Sequence, residues 1–172
     1  ISGMLSSPQG AVGVQIRGID REQEAKVQDF SKYLTAGDFL SGEYERPIVL
    51  GAGLVERLEV ELGDKVVLTA SDAEGEVTRA LFRLRGIVET GSDQLDEVTA
   101  ITSIAVAQEA IALGERVHQI GVLAGEGVDS VPLAEAIRSN LGERAGGLEV
   151  LTWQRAMPEM VSYLAMEQGG MT

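Results

Sequence analysis

The sequence predicts an α+β fold, with mixed sheets carrying helices on one face, and three observations carry that prediction. Val12, Val14 and Ile16 alternate with Gly13, Gln15 and Arg17, the period of two that a strand with one buried face requires. Ala80, Phe82 and Leu84 alternate with Arg79, Leu81, Arg83 and Arg85 behind a turn at Asp72-Ala73-Glu74-Gly75, which is a half-buried antiparallel pattern. In the last third, strand-like runs flank a helix-like one in a βαβ-sized unit. With 172 residues, 44% of them hydrophobic, the chain buries about 70% of its unfolded surface and builds a core without staples, as one domain or two small subdomains.

The elements follow in chain order. The strand around Val12–Ile16 ends at Gly18. Asp20 with Gln23 three residues later is a capping-box pattern, and Val27, Phe30 and Leu34 then share one side of a predicted helix closed near Gly37. Residues 38–46, with Gly42 and the following Pro47, read as a loop and place a subdomain boundary near Pro47. A short apolar strand at Ile48–Leu50 leads into a helix over Leu54–Val60. Gly63-Asp64 turns the chain into the strand at Val66–Leu68, which the turn at 72–75 joins to the strand over Arg79–Val88. A polar loop over Thr90–Glu97 precedes a strand at Val98–Thr102, and Ser103 caps an alanine-rich helix over Ile104–Leu113. Strands are predicted at Val117–Ala124 and Leu148–Thr152, with a helix at Val131–Leu141 that has Pro132 in its first turn. An amphipathic segment over Arg155–Glu167 closes the pattern.

Composition excludes several classes of function. Fourteen Lys and Arg against 27 Asp and Glu give a net charge of −13, and the few basic residues are scattered, which argues against nucleic acid and against adhesion to anionic lipid. Zero cysteines exclude disulfides, thiolate metal sites and thiol nucleophiles; one histidine, His118, excludes a His-rich zinc site. No apolar run approaches the ~18–20 residues that span a bilayer. The chain opens with Ile1 and reads as a piece of something longer.

Few residues carry candidate chemistry. Gly51-Ala52-Gly53 after a strand, with Asp72 further on, imitates a dinucleotide fingerprint, but Glu56 stands where the third glycine belongs and the helix is short. A strand-to-helix turn needing close backbone approach is the preferred reading. Asp93, Asp96 and Glu97 could hold a hard cation but lack the ligand spacing of a calcium loop, so a solvated loop is expected. Glu59, Glu61 and Asp64 read as surface charge around a turn. Arg79, Arg83 and Arg85 form a basic stripe expected to neutralise neighbouring acids, with partner binding as the alternative. His118 is expected as a hydrogen-bonded structural residue in its strand. No G-x-S-x-G or S-x-x-K arrangement is present, so no catalytic, cofactor or metal residue is assigned and an enzyme is not expected.

Taken in order, the pieces resemble a family. The run from Ile48 to Leu68, IVLGAGLVERLEVELGDKVVL, together with Val14-Gln15-Ile16-Arg17-Gly18-Ile19-Asp20, Phe82–Gly91 and the Trp153…Pro158 segment, resembles the extracytoplasmic domain of MacB-like ABC transporter permeases, particularly the lipoprotein-releasing LolC/LolE type. The resemblance implies a periplasmic domain of two α/β subdomains: a porter-like one from 1–46 and 114–172, N-terminally incomplete, and a sabre-like one inserted at 47–113. It also implies an inner-membrane permease with a cytoplasmic ATPase partner, a second permease subunit, and movement that releases a lipoprotein to a periplasmic carrier. An efflux or division-associated permease is the alternative within the family; a small dinucleotide-binding enzyme fragment is the alternative outside it. The connection from Ser71 to Thr78 is short, acidic and proline-free, which predicts that the carrier-gripping hairpin of LolC-type permeases is absent and that the chain is closer to LolE or to another export permease. Phe39, Leu40, Leu95 and Trp153 are candidates for lining an apolar path, with core packing or helix anchoring the plainer role for Trp153.

Overall fold

Seven strands of the chain pair into one sheet, as seen in a computed structural model that describes residues 1–27, 29–41, 45–72, 74–125, 127–142 and 146–156. The strands are β1 (Ser2–Ser6), β2 (Ala11–Ile19), β3 (Leu34–Gly37), β4 (Pro47–Gly51), β5 (Lys65–Ser71), β6 (Val77–Val88) and β7 (Thr99–Ser103). Their order is β3-β6-β4-β7-β2-β1-β5, and β5 also pairs with β6. The pairings therefore close on themselves through β6, β4, β7, β2, β1 and β5, and β3 adds an outer edge to β6. The strand β6 can serve so many partners because it is twelve residues long: Val77–Arg83 face β5, whereas Arg83–Val88 face β4.

Alternation fills the inside of this ring. Val12, Val14 and Ile16 point inward from β2, Leu5 from β1, Val66 and Leu68 from β5, and Ala80, Phe82 and Leu84 from β6, all in one apolar cluster. The helices α2 (Ala52–Leu58) and α4 (Ile104–Ala110) add Leu54, Leu58 and Ala110 to the same cluster. Each large side chain so buried contributes roughly 1.5–3 kcal/mol relative to exposure. The reverse face at β4 and β7 is buried as well: Val49 and Ile101 pack with Ile19, Val88, Phe30 and Phe39. Burial on both faces explains why β4 is apolar throughout and shows no alternation.

The predicted helix over residues 20–34 breaks in three. Asp20 caps α1 (Arg21–Val27) through its carboxylate, which accepts from the Glu22 and Gln23 amides at 3.0 and 3.1 Å. Yet α1 buries no residue, so nothing rewards its continuation. Asp29 caps a separate 3-10 turn (Phe30–Tyr33), and Leu34 opens β3 because β6 offers it a ladder; Gly37 ends that strand and not a helix. Ser103 caps α4 as expected, accepting from the Val106 amide at 3.4 Å.

The chain divides into two compact units, Ile1–Gly121 and Val122–Thr172. Within the first, Pro47 lies inside the sheet and not between two bodies: β2 pairs in parallel with β7, and β1 with β5, so strands of 1–46 and of 47–113 share one ring. In the second unit α5 (Ser130–Leu141) is capped by Asp129, and Arg138 donates to the Val150 carbonyl. The short α6 (Trp153–Ala156) follows, with Gln154 accepting from the Ser130 hydroxyl at 3.2 Å. The strands expected at Val117–Ala124 and Leu148–Thr152 do not form: a ladder needs a neighbour, and none pairs with either run among the described residues. Ile120, Val122, Leu123 and Leu148 are consequently exposed, Ile120 by 81%. Most of the segment at Arg155–Glu167 lies outside the described residues.

Candidate functional site

The Gly51-Ala52-Gly53 turn is where the sequence places its most suggestive motif, and the structure shows what the glycines are for. A Cβ on Gly51 would lie 2.2 Å from the Asp96 carbonyl oxygen, and one on Gly53 would lie 2.9 Å from Glu97 Cγ. The chain's own 96–97 segment thus occupies the space over the start of α2 that a pyrophosphate would need, and it brings the Glu97 carboxylate, 3.7 Å from Arg57. A helix of seven residues preceded by this plug is not a dinucleotide site. The third position, Glu56, is exposed.

Asp96 itself differs from the solvated loop residue expected. It lies in α3 (Asp93–Asp96), is only 5% exposed, and its carboxylate accepts from the Thr90 amide at 2.9 Å and the Thr90 hydroxyl at 2.9 Å. Its role is to fold the 90–97 loop onto Gly51. Asp93 and Glu97 remain exposed, and among the described residues no group of three or more His, Cys, Asp or Glu is placed to hold a metal ion. Glu59, Glu61 and Asp64 are exposed turn residues, with Asp64 accepting from the Glu61 amide at 2.8 Å.

Beside α1, Asp20, Arg21, Glu22, Glu24 and Asp29 line a cleft together with Phe30 and Phe39, with Arg17 held 3.0 Å from Glu24 and 5.5 Å above the Phe30 ring. The Ser31 hydroxyl donates to Asp29 at 2.5 Å and, against a desolvation that acts the other way, holds its carboxyl below the usual carboxylate range. Of the apolar candidates, Phe39 is buried in the second cluster, Leu40 packs against it, and Leu95 is 53% exposed. The Trp153 side chain lies outside the described residues. His118 is exposed on an irregular segment, so the expected structural role in a strand does not hold.

The basic stripe separates into different environments. Arg79 is exposed, whereas Arg83 donates to the Gly63 carbonyl at 2.6 Å and is half-buried. The 72–76 connection is a tight turn: the Asp72 carboxylate accepts from the Glu74 and Glu76 amides, each at 2.9 Å, and Gly75 takes a φ of 88°. The interior of the ring is filled by Phe82, Leu5 and Ile16, so an elongated ligand would have to run outside it. Among the described residues no helix is long and apolar enough to cross a membrane.

No protein-family model matches the chain. Curated proteins do. The chain is 37% identical over 115 residues, 61% of its own length, to the lipoprotein-releasing system transmembrane protein LolC of Neisseria meningitidis. It is 29% identical over 100 residues, 55% of its length, to LolE of Haemophilus influenzae. The matches cover 27% and 24% of those relatives, so the chain spans about a quarter of the proteins it matches. Of these two, LolC is the more similar, whereas the short connection from Ser71 to Thr78 points to LolE or to another export permease. The resemblance carried by the ordered motifs is thus shown by sequence identity.

Proposed function

We propose, on the premise that the chain is a segment of a LolC/LolE-type ABC permease, that it is the periplasmic part of an inner-membrane subunit that transmits ATP-driven movement to release lipoproteins. The observation that carries this is the match over 115 residues, 61% of the chain, to a lipoprotein-releasing protein, supported by the order of the motifs read from the sequence. The sheet agrees with such a role. A ring of strands packed on two sides transmits displacement as a body, because a close-packed interior has little compressibility. The plug over Gly51 and Gly53 supports a non-catalytic domain, with hydrolysis in a separate cytoplasmic ATPase subunit and a second permease subunit alongside.

The proposed division of labour follows the compact units and not Pro47. Ile1–Gly121 is the sabre-like body, and Val122–Thr172 belongs to the porter-like one. The tight 72–76 turn gives no long extension with which to grip a carrier, so any periplasmic carrier would be met by another surface. Site-specific photo-crosslinkers on the outer face of the Ile1–Gly121 unit, in the full-length permease with its ATPase, test this reading. Crosslinks to a triacylated lipoprotein or to its carrier that change with ATP support it. A nucleotide-dependent rise of several degrees in the thermal midpoint of the 172-residue chain would overturn it, since only a ligand that prefers the folded state raises that midpoint.

A further inference from the structure

None of the seven strands carries an Asp or Glu, and four of the five cations they hold lie on β5 and β6, the fifth being Arg17 on β2. The four are Lys65, Arg79, Arg83 and Arg85, in a protein with 27 acids to 14 bases. Lys65 stands directly opposite Arg83 in the antiparallel register. Like charges in that position destabilise a sheet, so the pair is held at a cost to stability. The parallel register between β4 and β6 shifts between Ile48 and Val49, which face Leu84 and Gly86, and Arg85 is the residue left over. Such a bulge re-aims the side chain it carries, and bulges are enriched beside binding sites.

Of these four, all but Arg79 meet in one place. Arg46, Lys65, Arg83 and Arg85 line a groove of about 380 Å³ across the outside of β6, and Glu45 is the acid among the described residues that line it. Arg46 is partly satisfied by Glu109 at 2.6 Å, and Arg83 uses one of its N–H donors on Gly63. Each guanidinium has five donors, so both have others to offer. Lys65 and the remaining donors of Arg46 and Arg83 outnumber what the Glu45 carboxylate can accept, and a phosphate group offers more oxygens and charge to arginine forks than a carboxylate does. The net charge of −13 for the whole chain does not prevent this, because exposed charges beyond roughly 8 Å are largely screened at physiological salt.

We propose that this groove is a binding site for a phosphate-type oxyanion, carried by a free solute or by a phospholipid headgroup. The test is titration of the 172-residue chain with inorganic phosphate, followed by backbone amide shifts. Saturable shifts at residues 63–65 and 81–85 are expected, with affinity at least threefold weaker in Lys65→Gln and unchanged in Arg79→Gln, which alters a cation of the same strand outside the groove. Sedimentation with phosphatidylglycerol vesicles distinguishes the sources. Binding that phosphate displaces assigns the headgroup, and phosphate binding without vesicle binding assigns a free solute. The proposal is overturned if the shifts do not saturate, if Arg79→Gln weakens binding as much as Lys65→Gln, or if sodium acetate reproduces the same shifts at the same concentration.

Discussion

Replacing Gly51 by alanine tests whether that glycine serves packing. Its φ of −67° is one that any residue adopts, so the substitution probes space and not backbone strain. The new methyl would lie 2.2 Å from the Asp96 carbonyl oxygen and 2.8 Å from Asp96 C and Cα, all backbone atoms that cannot rotate aside. Overpacking of this kind costs typically 1–3 kcal/mol, and displacing Asp96 also weakens its charge-assisted bonds to Thr90, worth about 1.5–3 kcal/mol at most. Since the loop can yield by part of the distance, the expected loss is about 2–4 kcal/mol. At roughly 2–4 °C per kcal/mol for a chain of this size, the midpoint falls by roughly 4–16 °C. Far-UV circular dichroism on heating, together with urea unfolding, measures it. Gly13→Ala is the control: nothing lies within 4 Å of its Cβ position in β2, and the change should be neutral or slightly stabilising. If Gly51→Ala behaves like Gly13→Ala, within about 0.5 kcal/mol, the 96–97 segment is not seated on the turn and the packing explanation fails.

Other outcomes follow from the same structure. Phe82→Ala, at a ring 1% exposed in the middle of the first cluster, should cost about 3–5 kcal/mol in urea unfolding. Asp96→Asn and Thr90→Val should each destabilise, and a double-mutant cycle between them should show coupling of about 0.5–3 kcal/mol, since they share the same hydrogen bonds. Ser31→Ala should move the Asp29 carboxyl upward toward its ordinary range in a side-chain NMR titration, because the Ser31 hydroxyl is the chief cause of its lowered pKa. The sign for stability follows: a depressed carboxyl contributes above the unfolded-state pKa, and that contribution fades as pH falls through the lower folded value. The Ser31→Ala chain should therefore lose less stability over that acid range than the parent.

Much of the sheet was legible because burial marks the sequence locally, one-sided in β2 and β6 and two-sided in β4. The alternation in β2 and β6, the apolar run of β4 and the Ser103 cap each carry a local signal that the structure keeps. What escaped was set by distant partners. β1 is Ser-Gly-Met-Leu-Ser, with one buried residue, Leu5, and it is a strand only because β2 and β5 flank it. β3 looked helical from the spacing of Phe30 and Leu34, and the free edge of β6 decided otherwise. Conversely, Val117–Ala124 has the composition of a strand and lacks a ladder among the described residues. At the candidate sites, the role of Gly51 as a close-packing glycine was readable from Glu56 and the short helix. The burial of Asp96 was not, because one acid among three in a polar loop gives no sign of which will fold inward. A Thr six residues before it was the available hint. The cationic groove left half a signal: the arginine stripe was visible, but Lys65 and Arg46 join it only through the register of three strands.

The closed order of the strands also decides when the unit can assemble. β1 and β2 leave the ribosome before the other strands of the ring and can form a hairpin, but each has a second partner that arrives much later: Leu5 faces Leu68, and Gln15 faces Thr99. At roughly 5–20 residues per second, β2 waits on the order of 4–20 s for β7. Loops of that length must close before the interior is rewarded, which places the unit among slow, high-contact-order folders. For that interval Val12, Val14 and Ile16 lie on an uncovered hairpin face, and newly made chain is most vulnerable to mispairing there.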